Sequence, residues 1–234
     1  MGKLIRKATG LTVGMATLLA GLLLPMTASA ESASPIDASP IIHYSFDNAL
    51  TSKTIANEGS AANSDATLSG DATVANGQIN LTGSQTISVP TTAIAGKKDV
   101  TVSIWLKINY GNGNTAAAYI GAAKTGNYPA NGYWLLNPAN PSGYAKSVMT
   151  NATAADPNNS QWGTEVGPGS TNAATTGTKA TSDLALYTTV ISGTNSTMSF
   201  YLNGKQVGDA TYTIPAGGLT NYGGLVAYIG KSSY

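Results

Sequence analysis

Cysteine is absent from the 234 residues, and histidine occurs once, at His43. The first absence excludes disulfides, thiolate nucleophiles, iron–sulfur clusters and cysteine-type zinc sites. The second excludes any centre that needs two imidazoles. A Ser-His-Asp arrangement would have to use His43 and an activated serine, and the sequence has no Gly-x-Ser-x-Gly elbow. Charge is scarce as well. Asp, Glu, Lys and Arg make up 10% of the chain, against ~25% in an average domain, which argues against a coiled coil or a charged helical bundle. Twelve Lys and Arg against eleven Asp and Glu leave a net charge of +1. Nucleic-acid affinity comes from neutralising many phosphates, so that balance excludes a nucleic-acid partner.

What is present begins with a leader. Lys3, Arg6 and Lys7 precede an apolar run from Leu11 to Pro25, and Ala28-Ser29-Ala30 supplies the small residues of a cleavage site. A membrane anchor needs ~20 apolar residues, whereas Thr12, Gly14, Thr17, Gly21 and Pro25 interrupt this run. Residues 1–30 therefore read as a signal peptide. The mature chain is expected to be secreted, extracellular or at the cell surface, with no membrane span. Loss of the three leader cations takes the net charge from +1 to −2. Residues 31–40 (ESASPIDASP) are small, polar and punctuated by proline, the composition of a linker. Residues 41–234 have the length of one domain.

No window after Pro40 sustains apolar residues at helical spacing. Short runs of period-two alternation recur instead, bounded by Gly, Asn, Pro and Ser. The alternation predicts strands over 41–47, 78–82, 86–89, 100–108, 119–122, 133–136, 187–192, 198–203 and 225–229. In 100–108, Val100, Val102, Ile104, Leu106 and Ile108 share one face. Trp105 falls on the other, which leaves open whether it lines a concave face or lies under a loop. Asn203-Gly204 supplies two positive-φ positions and predicts a type I′ hairpin returning through Lys205–Val207. Many antiparallel-compatible strands joined by loops of varied length describe an all-β, two-sheet antiparallel sandwich.

Five segments, in order, carry a family resemblance: His43-Tyr44-Ser45-Phe46-Asp47, Asp65-Ala66-Thr67-Leu68-Ser69-Gly70, Thr101-Val102-Ser103-Ile104-Trp105-Leu106-Lys107, Ser199-Phe200-Tyr201-Leu202-Asn203-Gly204-Lys205 and Ala227-Tyr228-Ile229-Gly230-Lys231-Ser232. With these the chain resembles the laminin-G-like, concanavalin-A-like jelly-roll modules of bacterial secreted proteins, often attached to glycoside hydrolases. The resemblance implies a jelly-roll sandwich over 41–234. It also implies a further strand beyond Tyr234, so that the chain reads as a C-terminally truncated domain whose polypeptide carries further domains. Finally, it implies a structural Ca²⁺ with Asp47 as a ligand. The residues alone allow a plainer reading of Asp47 and its neighbours, as turn-forming Asp and Asn.

Candidate chemistry follows from what loops offer. Glycoside hydrolysis needs two carboxyls at defined separation. The glutamates are Glu31, Glu58 and Glu165, and no predicted strand carries an acidic pair on one face. The segment is therefore expected not to be an enzyme. Sugar rings present apolar faces that stack on Tyr and Trp, while neutral hydroxyls meet Asn, Gln and Asp. Tyr128, Trp134 and Tyr144 lie among asparagines in Gly126–Tyr144, and Trp162 stands in a stretch without strand pattern. These four are the candidate carbohydrate contacts, although at least one of Tyr133 and Trp134 has to face inward. The expectation is a non-catalytic carbohydrate-binding or adhesive module that meets a polysaccharide or cell-surface glycan. The rivals are a structural spacer or protein-interaction module and an active glycosidase. By the strand alternation His43 turns away from the Ile42/Tyr44/Phe46 face, as a surface or inter-strand residue.

Overall fold

The computed structural model describes residues 39–108, 113, 115–124, 126, 132–150, 161–169, 178–208 and 211–233. The chain divides into two units after Ser39, and the account below concerns the second. In chain order its strands are β1 (Thr54–Ile55), β2 (Ala66–Ser69), β3 (Thr73–Ala75), β4 (Gln78–Asn80), β5 (Thr86–Val89), β6 (Asp99–Leu106), β7 (Ala118–Ala122) and β8 (Tyr133–Asn137). There follow β9 (Lys146–Thr150), β10 (Glu165–Val166), β11 (Ala185–Ser192), β12 (Thr197–Leu202), β13 (Lys205–Gln206), β14 (Tyr212–Thr213) and β15 (Leu225–Ile229). Among the described residues the helical turns are two short 3₁₀ segments, Trp162–Thr164 and Gly218–Asn221. No helix of the described residues is long and apolar enough to cross a membrane.

The pairings are antiparallel and build an eight-stranded sheet in the order β1-β2-β5-β15-β7-β8-β9-β10. They also build a five-stranded sheet, β13-β12-β11-β6 with β14 beside β12. Alternation explains why the smaller sheet forms where it does. Tyr187 and Ile191 on β11 and Met198 and Phe200 on β12 turn inward and are fully buried. They meet Ala118, Ile120, Trp134, Leu136 and Met149 from the larger sheet in one cluster, so the two sheets form a sandwich. The pairing Leu202↔Lys205 closes the hairpin, and Asn203 and Gly204 take φ of 51° and 76°, both positive as a type I′ turn requires. Asn76-Gly77 closes β3–β4 in the same way, with φ of 54° and 70°.

Two departures have physical causes. The segment 41–47 is not a ladder strand. The His43 N–H goes to the Asn57 side chain, its carbonyl accepts from Glu58 N, and Phe46 turns left-handed at φ 57°. Its alternation still works: Tyr44 and Phe46 pack on a separate cluster of Ile55, Ala66, Leu68 and Ile87, while His43 stays exposed. The second departure is β9, Lys-Ser-Val-Met-Thr, which alternation did not reveal. All five residues of β7, β8 and β9 are buried, on both faces of the sheet; β7 and β8 still show as strands through their apolar residues, whereas Lys146, Ser147 and Thr150 hide that signal in β9. Tyr119, Tyr133, Leu135 and Val148 form a second cluster on the outer face there. Gly121 permits it, because a Cβ at this position would lie 2.5 Å from the Tyr133 Cβ.

Candidate functional site

The four aromatic candidates do not converge. Trp134 is the second residue of β8, and alternation turns it into the inter-sheet core, where it is fully buried. Its indole N–H donates to Ser147 Oγ at 3.1 Å, and that hydroxyl pairs with Thr189 Oγ1 at 2.8 Å across the sandwich. No ring face is left for a ligand, so the expected sugar contact at Trp134 is corrected to a core role. Tyr133 is buried too, on the opposite face. Its hydroxyl donates to Glu165 Oε1 at 2.8 Å, and Lys146 Nζ lies 2.6 Å from the other carboxylate oxygen. Both oxygens of this buried carboxylate are thereby engaged inside the protein.

Trp162 is presented differently. Gln161 adopts a left-handed conformation at φ 64°, and Thr164 closes the turn by donating N–H and Oγ1–H to the Gln161 carbonyl at 3.0 and 2.8 Å. The turn leads directly into β10 and leaves the indole 48% exposed. Tyr144 is half-buried. Asn140 holds its turn by accepting from Tyr144 N at 3.0 Å, and the Lys179 ammonium lies 4.4 Å from the ring centre, occupying one face. Glu165 pairs with Thr150, so Trp162 stands beyond the end of β9, whereas Tyr144 precedes its start. At ~3.3 Å per residue the five residues of β9 put those ends roughly 13 Å apart. Tyr128 lies outside the described residues.

Trp105 was not among the candidates, and it is the most exposed large apolar side chain of the described residues, at 64%. It stands on the outer face of the smaller sheet, opposite Leu186. The sequence signal was its position against the apolar set of its own strand.

The titratable groups form no reactive constellation among the described residues. His43 Nδ1 lies 3.4 Å from Glu58 Oε2 at the surface, and Asp71 pairs with Lys53. Asp99 accepts from Ser192 Oγ, Thr194 Oγ1 and Thr194 N; these bonds, with the Thr194 hydroxyl the strongest, hold its carboxyl below the usual range. Asp47 is exposed, and no three carboxylate or imidazole side chains of the described residues gather as metal ligands. An open depression of about 380 Å³ lies between Thr91, Ala95, Gly96, Thr220, Tyr222 and Leu225. It offers neutral groups and the edge of one buried tyrosine.

The fold has a known counterpart. The chain is similar to domain 4 of AbnA, a GH43 extracellular arabinanase from Geobacillus stearothermophilus, solved in complex with arabinotriose. The TM-score is 0.51 at 17% identity, over 84% of this chain and 85% of that one. At that identity the likeness shows a shared β-sandwich fold, and it does not single out the laminin-G-like group. No protein-family model matches the sequence. No curated protein matches it either.

Proposed function

We propose that the unit following Ser39 is a non-catalytic carbohydrate-binding module of an exported polypeptide, acting beside a glycoside hydrolase. The observation that carries this reading is the shared fold with an arabinanase domain that holds arabinotriose. The chemistry of the chain agrees with it. A surface poor in charge and supplied with exposed indoles suits a neutral, hydroxylated ligand whose ring faces are apolar. Trp162, held out on its turn, is the stacking residue of this reading, and Tyr144 serves a separate region. The mechanism is tethering: a module of weak affinity raises the local concentration of an attached catalytic domain at its polymer.

The test is binding of the purified chain to arabino-oligosaccharides, arabinan and insoluble plant polysaccharide. Trp162→Ala is expected to weaken binding about tenfold, or ~1.4 kcal/mol, with an unchanged unfolding midpoint. Absence of binding to every glycan would leave a spacer or protein-contact module. Release of reducing sugar from the same preparation would make it a glycosidase.

A further inference from the structure

β6 is the outermost strand of the smaller sheet, and among the described residues its ladder partner is β11 alone. It is eight residues long and carries neither proline nor a bulge. Long regular edges of this kind present unpaired backbone groups to any passing strand, and proteins ordinarily cover or interrupt them. Burial tells the same story. Val100, Val102, Ile104 and Leu106 point into the core yet remain half-buried, whereas Ile191, Tyr187 and Ala185, the register partners of Val100, Ile104 and Leu106, are at most 1% exposed. The apolar layer is unfinished on the β6 side.

An incoming strand that finished it would need apolar residues at alternate positions, uncharged residues between them, a cation to face Asp99 and an anion to face Lys107. β6 of a second copy meets every condition. An antiparallel β6–β6 pairing centred on Ser103 sets Val102 opposite Ile104 and Val100 opposite Leu106 in the shared core. On the outer face it sets Thr101 opposite Trp105. Just beyond these pairs Asp99 faces Lys107, and two-fold symmetry repeats the ion pair at the other end. The hydroxyl bonds from Thr194 and Ser192 keep Asp99 ionised for that role. We propose that β6 is a self-association edge, through which two copies join their smaller sheets into one continuous sheet. This inference does not depend on sugar binding.

One strand pair buries less than the ~1,600 Å² of a standard interface, so the dimer is expected to be weak and concentration-dependent. Sedimentation equilibrium of the purified chain from micromolar to millimolar concentration is expected to show monomer passing to dimer. Lys107→Asp places like charges at both ends of the pairing and is expected to raise the dimer dissociation constant at least ~tenfold at low salt. The difference should shrink in molar salt, where surface charges are screened. Circular dichroism of the variant, expected to match the unmodified chain, establishes that it is folded. Monomer at every concentration, or a folded Lys107→Asp variant that dimerises as well as the unmodified chain, would overturn the proposal.

Discussion

Tyr222 is 3% exposed, and its hydroxyl donates to the Thr150 carbonyl at 3.0 Å while accepting from Thr150 Oγ1 at 3.3 Å. Burial pushes its pKa from 10.0 up to about 12, against the smaller lowering effect of the Thr150 bonds. Between those values the unfolded chain releases a proton that the folded one keeps. The stability tied to this group is therefore complete below pH 10 and is lost as pH rises toward 12, to an extent of about 2–3 kcal/mol. Tyr44, raised to about 12 mainly by burial and then by Asp65, acts with the same sign but is less enclosed. The urea midpoint is expected to hold level from pH 8 to 9.5 and fall steeply above ~10. Tyr222→Phe should make that fall shallower without abolishing it, and should cost ~1 kcal/mol at neutral pH through the lost hydrogen bonds. A profile for the variant that overlays the parent's would show that Tyr222 is not the titrating group.

At the level of elements, legibility followed exposure and side-chain composition together. β6, β11 and β12 each show one face to solvent, so their sequences alternate, and the reading placed them to within two residues. The Asn203-Gly204 turn was legible because its backbone demand is local. β9 was not, since Lys146, Ser147 and Thr150 put polar side chains at buried positions, with Glu165 neutralising the Lys146 charge. Double covering also hides the place of Trp134: the strand over 133–136 turns Tyr133 and Trp134 to opposite faces, and only the sheet shows that both of those faces are buried. The hairpin turn offers a clean test of local demand. Gly204 has φ 76° and no atom within 4 Å of a built Cβ, so a side chain there meets backbone strain and nothing else. Gly204→Ala is expected to cost about 1–2 kcal/mol. Gly163, equally unobstructed but with an ordinary φ, is the control: Gly163→Ala should change stability by less than ~0.5 kcal/mol. Equal effects at the two positions would show that the turn conformation is not what Gly204 supplies.

For the molecule as a whole, stability without cysteine has to come from packing, and the inter-sheet cluster is where both sheets contribute. The Trp134–Ser147–Thr189 chain crosses that layer with its polar atoms partnered, tying β8 and β9 to β11. The three tryptophans report on different parts of the assembly: Trp105 on the smaller sheet, Trp162 beside the last strand of the larger, and Trp134 between the two. If the cluster makes one cooperative unit, emptying it must weaken both sheets together. Trp134→Ala is expected to cost about 3–5 kcal/mol, with Ser147 left to find another donor. Denaturation followed at Trp105 in a Trp134→Ala/Trp162→Phe chain, and at Trp162 in a Trp134→Ala/Trp105→Phe chain, should then give coincident transitions, both below that of the unmodified protein. A transition at Trp105 that stays in place while the one at Trp162 falls would mean that the smaller sheet stands without the larger. The sandwich would then be two stacked units, and Trp134 would belong to only one of them.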